Sequence, residues 1–154
     1  MKRKFINVLF ALLLALTFSF GLMPATPARA AAYTASVTGN WSSTTTWGGA
    51  GPPVAGDNVT INYGVIVTVD TTAECGSIVI NAPAANNGIT IGGTNSLTVS
   101  GSITVRAPST NGVSDTLAVG TGTLNAGSIA IAGGTATKVG QVTVSTGTIN
   151  VNGG

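Results

Sequence analysis

The chain has 154 residues, with six basic and four acidic side chains, no His, 22 Gly, one Cys and an apolar fraction of 44%. That length suits one domain, and the apolar content separates the chain from disordered, highly charged sequences. Abundant Thr, Val and Gly exclude a coiled coil or helical bundle, glycine without a period of three excludes collagen, and one Cys without His excludes zinc ribbons and disulfide scaffolds.

The first thirty residues read as a secretory signal. Lys2-Arg3-Lys4 is a short basic start, and Phe5 to Phe20 is an almost wholly apolar run. Gly21 and Pro24 break that run, and Ala28-Arg29-Ala30 presents small residues at the positions a signal peptidase reads. Cleavage is expected after Ala30, with Ala32 as the alternative. The apolar run is short for a membrane span, so no span is expected in the processed chain. Four of the six basic residues leave with the signal. Arg106 and Lys138 then face Asp57, Asp70, Glu74 and Asp115, a net charge of −2. No basic cluster remains for nucleic acid or for an anionic membrane surface.

Residues 31–58 differ from the rest of the chain. They carry Trp41 and Trp47, Pro52-Pro53 and Gly56-Asp57. A solenoid must cover the apolar end of its stack, and this aromatic, proline-fixed segment is expected to be that N-terminal cap. Trp41 and Trp47 are also the candidate glycan-stacking platform, since two indoles six residues apart can share a surface.

From Val59 onward, short alternating strands are separated by glycine-rich turns: Val59-Thr-Ile61, Val65 to Val69, Ile78-Val-Ile80, Ile89-Thr-Ile91, Leu97-Thr-Val99 and Ile103-Thr-Val105, then Leu117-Ala-Val119, Ile129-Ala-Ile131, Val142-Thr-Val144 and Ile149-Asn-Val151. Period two buries one face of each strand. The phrase Gly-[Ser/Thr]-Ile-x-[Ile/Val] recurs at Gly76, Gly101, Gly127 and Gly147, at intervals of 25, 26 and 20 residues. Thr121-Gly-Thr-Leu-Asn-Ala126 and Thr146-Gly-Thr-Ile-Asn-Val151 are 25 apart. Such periods mark stacked repeats. The expected fold is all-β: a right-handed parallel β-helix of about four turns over residues 59–154, under its cap. An antiparallel β-sandwich is the alternative. Gly147 to Val151 completes a repeat phrase with no closing cap after it, so the repeats are expected to continue beyond Gly154. The open rung is expected to invite other copies of the chain.

The order Gly39-Asn-Trp41-Ser, Thr46-Trp47, Pro52-Pro53, Gly56-Asp57-Asn-Val59-Thr-Ile61, Gly64, Val67-Thr-Val69-Asp70, Cys75-Gly-Ser-Ile78-Val-Ile80 resembles the head of bacterial cell-surface β-solenoid proteins. It is similar to the eight-glycine domain of extracellular β-helix proteins. The resemblance covers about 40 residues. It implies a right-handed parallel β-helix on an exported, adhesive or glycan-contacting protein, and it transfers no catalytic residue. Asp57 is expected to bond turn amides and Asp70 to end a strand.

Little in the chain can do chemistry. Without His there is no ordinary triad and no imidazole ligand, and Cys75 reads as a buried strand residue. Asp70 and Glu74, close in sequence, read as a solvated turn rather than a glycosidase pair or a calcium site. Arg106 stands alone, and Gly120-Thr-Gly122 has no helix after it. No catalytic residue, metal or cofactor is expected. Outward Thr60, Thr68, Thr90, Thr98, Thr104, Thr123, Thr143 and Thr148 would also suit a water-ordering ladder. The expectation is therefore a non-enzymatic, exported structural or adhesive module with cell-surface polysaccharide or itself as partner. A glycan-binding or glycan-cleaving protein and an ice-binding protein are the alternatives.

Overall fold

The structure, a computed structural model, describes residues 29–81 and 85–153. The apolar run read as a signal, within residues 1–28, lies outside the described residues. The described residues form twelve strands in two parallel sheets. The first runs β1 (Ala32–Ala35), β3 (Asn58–Ile61), β6 (Ser77–Ile80), β8 (Ser96–Val105), β10 (Thr123–Ile131) and β12 (Thr148–Val151), with β5 (Ala73–Cys75) also against β8. The second runs β2 (Gly39–Asn40), β4 (Ile66–Val69), β7 (Asn87–Ile91), β9 (Val113–Val119) and β11 (Lys138–Val144).

The long strands β8 and β10 each turn a corner. Their first halves pair with β5 and β12, while the second half of β8 pairs with β6, and Gly101 and Gly127 lie between the halves. Each full turn thus presents three strand faces. The chain is a parallel β-solenoid of about five turns.

Alternation fixes the core. Register stacks like on like: Val59 under Ile78 under Ile103 under Ile129, Ala73 under Leu97 under Leu124 under Ile149, and Val67 under Ile89 under Leu117 under Val142. All but the topmost residue of each column are buried, and parallel strands enclosed in this way bury their branched side chains continuously.

The glycine phrase works at the corner. A Cβ on Gly101 would stand 2.8 Å from the carbonyl oxygen of Gly76, and one on Gly127 would stand 2.7 Å from that of Gly101. Gly101 N–H donates to Gly76 O at 2.7 Å. Neighbouring turns approach too closely there for any side chain.

Three expectations change. Every strand pair among the described residues is parallel, so the antiparallel sandwich is excluded. About five turns replace four, because β1 and β2 lie within the segment read as a separate cap and pair with β3 and β4. The phrase at Gly147 is not a fourth copy of that at Gly127: β12 stacks on the first half of β10, Thr123 with Thr148 and Leu124 with Ile149. The interval of 20 is a change of face, and Gly153 is the residue that stacks on Gly127.

Candidate functional site

The first turn holds both indoles inside. A 3-10 helix, Thr44–Trp47, follows β2 and is closed by Gly48 at φ +68°, a left-handed ending that suits glycine. It folds Trp47 back so that Nε1 donates to Trp41 O at 2.7 Å. The two rings meet edge to face at 5.1 Å, and Tyr33 meets Trp47 edge to face at 6.2 Å. Trp41 is 1% exposed and Trp47 4%. Neither offers a ring face on which a sugar can stack, which corrects their reading as a glycan platform. Their place is the floor of the stack.

Asp57 and Asp70 brace turns near the head. Asp57 is buried, accepting from Ala31 N at 2.8 Å and Val54 N at 2.9 Å. Asp70 directly follows β4 and accepts from Ser42 N at 3.0 Å and Ser42 Oγ at 2.6 Å. Partial burial acts to raise the Asp70 carboxyl, but hydrogen bonds, those of Ser42 foremost, outweigh it and hold it below its ordinary value. Burial, with the Asp57 charge in second place, pushes the Cys75 thiol up to about 12. A thiol so raised stays protonated and unreactive at neutral pH.

One outward face of the solenoid is a polar array that is uncharged beyond Glu74. On the face made by β5, β12 and the first halves of β8 and β10, register aligns Ser96 with Thr123 and Thr148, and Glu74 with Thr98, Asn125 and Asn150. Asn150 Nδ2 donates to Asn125 Oδ1 at 2.8 Å, and Asn125 Nδ2 donates to Thr98 Oγ1 at 3.4 Å. Grooves flank this face. One, of about 440 Å³, lies between Pro52–Ala55, Trp41-Ser42 and Thr71–Glu74. The other, of about 240 Å³, runs along the glycine corner beside Thr98, Ser100, Asn125 and Asn152.

Threonine itself stacks less regularly. Thr68 lies beside Thr90 and Thr123 beside Thr148, but Ala118 separates Thr90 from Thr143, and Val79 separates Thr60 from Thr104. The asparagine column was not anticipated, although the two Asn recur at the same 25-residue interval as the threonines.

One buried acid was also missed. Asp115 is 0% exposed on the inward side of β9, in register with Asn87 of β7, which is 2% exposed. Asn87 Nδ2 donates to Asn81 O. Asn87 Oδ1 and both Asp115 oxygens have no partner among the described residues. Burial alone pushes the Asp115 carboxyl up to about 6. Among the described residues no group of three His, Cys, Asp or Glu is placed to hold a metal ion, and no helix is long and apolar enough to cross a membrane. Compared with known proteins, the chain matches no family model, no curated protein and no solved structure.

Proposed function

We propose that this chain is an exported, non-enzymatic solenoid module that adheres to neutral polysaccharide through the face carrying Thr98, Asn125 and Asn150. The observation that carries the reading is the hydrogen-bonded column Asn150–Asn125–Thr98 beside the groove at the glycine corner. Amide and hydroxyl groups are simultaneous donors and acceptors, the chemistry that pairs with sugar hydroxyls. Strand spacing of about 4.8 Å repeats the array along the solenoid. With the indoles buried, such contacts rest on hydrogen bonds and on the apolar wall of Pro52 and Pro53 rather than on ring stacking. The resemblance of residues 39–80 to the heads of extracellular β-helix proteins supports the same reading, as does the leader-like segment before Ala31. The interrupted threonine columns favour polysaccharide over ice.

The test is co-sedimentation of the exported protein with insoluble cellulose and chitin. Wild type is expected to partition into the pellet. Asn125→Leu, which keeps the branching and heavy-atom count and removes both hydrogen-bonding functions, should weaken partition at least tenfold while circular dichroism shows the solenoid still folded. Absence of pelleting with any neutral polysaccharide, or equal pelleting of the variant, refutes the reading.

A further inference from the structure

Asp57 places a carboxylate in a nearly closed site, 5% exposed, and no cationic side chain among the described residues pairs with it. Its Oδ1 accepts a hydrogen bond from the backbone nitrogen of Ala31 at 2.8 Å. Ala31 O in turn accepts from Asn58 N at 2.8 Å, one residue before Ala32 and Asn58 come into register as β1 and β3. The chain on the far side, Arg29 and Ala30, is exposed. An uncompensated buried carboxylate is costly, and the peptide nitrogen of an unprocessed Ala31 supplies a dipole but no charge.

We propose that Ala31 is the first residue of the mature protein and that its new α-ammonium group is clamped by Asp57, so that leader removal itself completes the head of the solenoid. This rests on the reading of residues 1–30 as an export leader. Hydrolysis of the Ala30–Ala31 peptide bond by a signal peptidase consumes one water. It leaves the carboxylate on Ala30 of the departing leader and the ammonium on Ala31. The ammonium keeps the donor that Asp57 Oδ1 already accepts and adds the missing positive charge. Cleavage after Ala32 would remove the Ala31 nitrogen together with the carbonyl that Asn58 uses. The geometry thus distinguishes two sites that small-residue rules treat alike.

The groups around the pair are few. Val54 N donates to Asp57 Oδ2 from the proline segment, and Asn58 begins β3. Ser77 Oγ of β6 donates to Asn58 Oδ1, and Cys75 of β5 is the titratable neighbour, neutral below about 12. An opposite charge within hydrogen-bond distance raises an amine by about one unit or more. The α-amine should therefore titrate above its ordinary range of about 7.7–8.0.

The experiment expresses the complete chain in a secreting host, sequences the N-terminus of the exported protein, and measures the rate at which its α-amine is acylated at pH 7. Ala31 as first residue, with acylation about tenfold slower than in Asp57→Asn, is the expected result. Because Asp57→Asn also disturbs Val54 N, a second measurement acetylates the wild-type N-terminus. Acetylation keeps the N–H and removes the charge, and it should lower the melting temperature of wild type but not of Asp57→Asn. A product beginning at Tyr33, or an Ala31 amine that reacts equally fast in both proteins, overturns the proposal while leaving export intact. An exported product that retains Met1, or no export at all, overturns the leader reading itself.

Discussion

Replacing Trp47 with Ala tests whether the head is a packed floor. The indole is 4% exposed, packs edge to face on Trp41 and Tyr33, and donates its N–H to Trp41 O. Truncating a buried Trp costs about 3–5 kcal/mol. The abandoned Trp41 carbonyl adds about 1 kcal/mol or more if water cannot reach it. Against a domain stability of about 5–15 kcal/mol, a loss of about 4–6 kcal/mol removes most of the margin. Urea unfolding followed by circular dichroism, with Trp41 fluorescence as a second probe, reads it directly. Trp47→Phe separates the two contributions, because it restores most of the volume without the hydrogen bond and should recover more than half of the loss. A loss below about 1 kcal/mol, or a Trp47 fully open to a fluorescence quencher, would refute the floor.

Two further outcomes rest on particular contacts. Gly127→Ala should destabilise by about 1–3 kcal/mol in thermal melts, since its Cβ would stand 2.7 Å from Gly101 O. Gly51→Ala meets nothing within 4 Å and should change stability by no more than about 0.5 kcal/mol; equal effects would refute the corner argument. Asp115 carries a pH dependence opposite in sign to that of Asp70, whose lowered carboxyl contributes stability that is lost as pH falls: the folded Asp115 carboxyl is raised from 3.8 to about 6, so its contribution is fully present below pH 3.8 and is lost as pH rises through 6. That amounts to roughly 3 kcal/mol between pH 3.8 and neutrality. Asp115→Asn should flatten the profile and stabilise the protein at pH 7.5, where an amide can donate to Asn87 Oδ1; a wild-type midpoint independent of pH would refute this.

Strand positions were legible because a solenoid writes its core in plain alternation, and three of the four glycine phrases fall at one corner. The fourth, Gly147 to Val151, was misplaced for a physical reason. A Cβ on Gly147 would stand 2.5 Å from Gly122 O, much as one on Gly127 would stand 2.7 Å from Gly101 O, so two different corners produce the same five-residue phrase. The interval, 20 instead of 25, and the 25-residue match of Thr121–Ala126 with Thr146–Val151 distinguished them. Asp115 could have been found by carrying the alternation of Leu117 and Val119 two residues back, which places it inward. The fate of the two Trp could not, since six residues of spacing is equally compatible with a surface pair. What decides is the 3-10 helix that folds Trp47 onto the Trp41 carbonyl.

The near absence of charge has the same origin as the ladder. In a parallel stack, equivalent outward positions of successive turns stand about 4.8 Å apart, and like charges at that spacing repel by about 1 kcal/mol per pair even in water. A repeating Lys or Glu would work against every turn added, and Glu74 at the head stands alone in its column, with Thr98, Asn125 and Asn150 above it. Asn and Thr reverse the sign of that interaction, because each can donate to the turn beside it, as Asn150 does to Asn125. The residues that let the stack grow are thus the ones able to meet a neutral, hydroxylated surface. Each turn adds a weak contact in fixed register with the last, so adhesion by this face is expected to strengthen with the number of turns through effective concentration rather than through any one strong site.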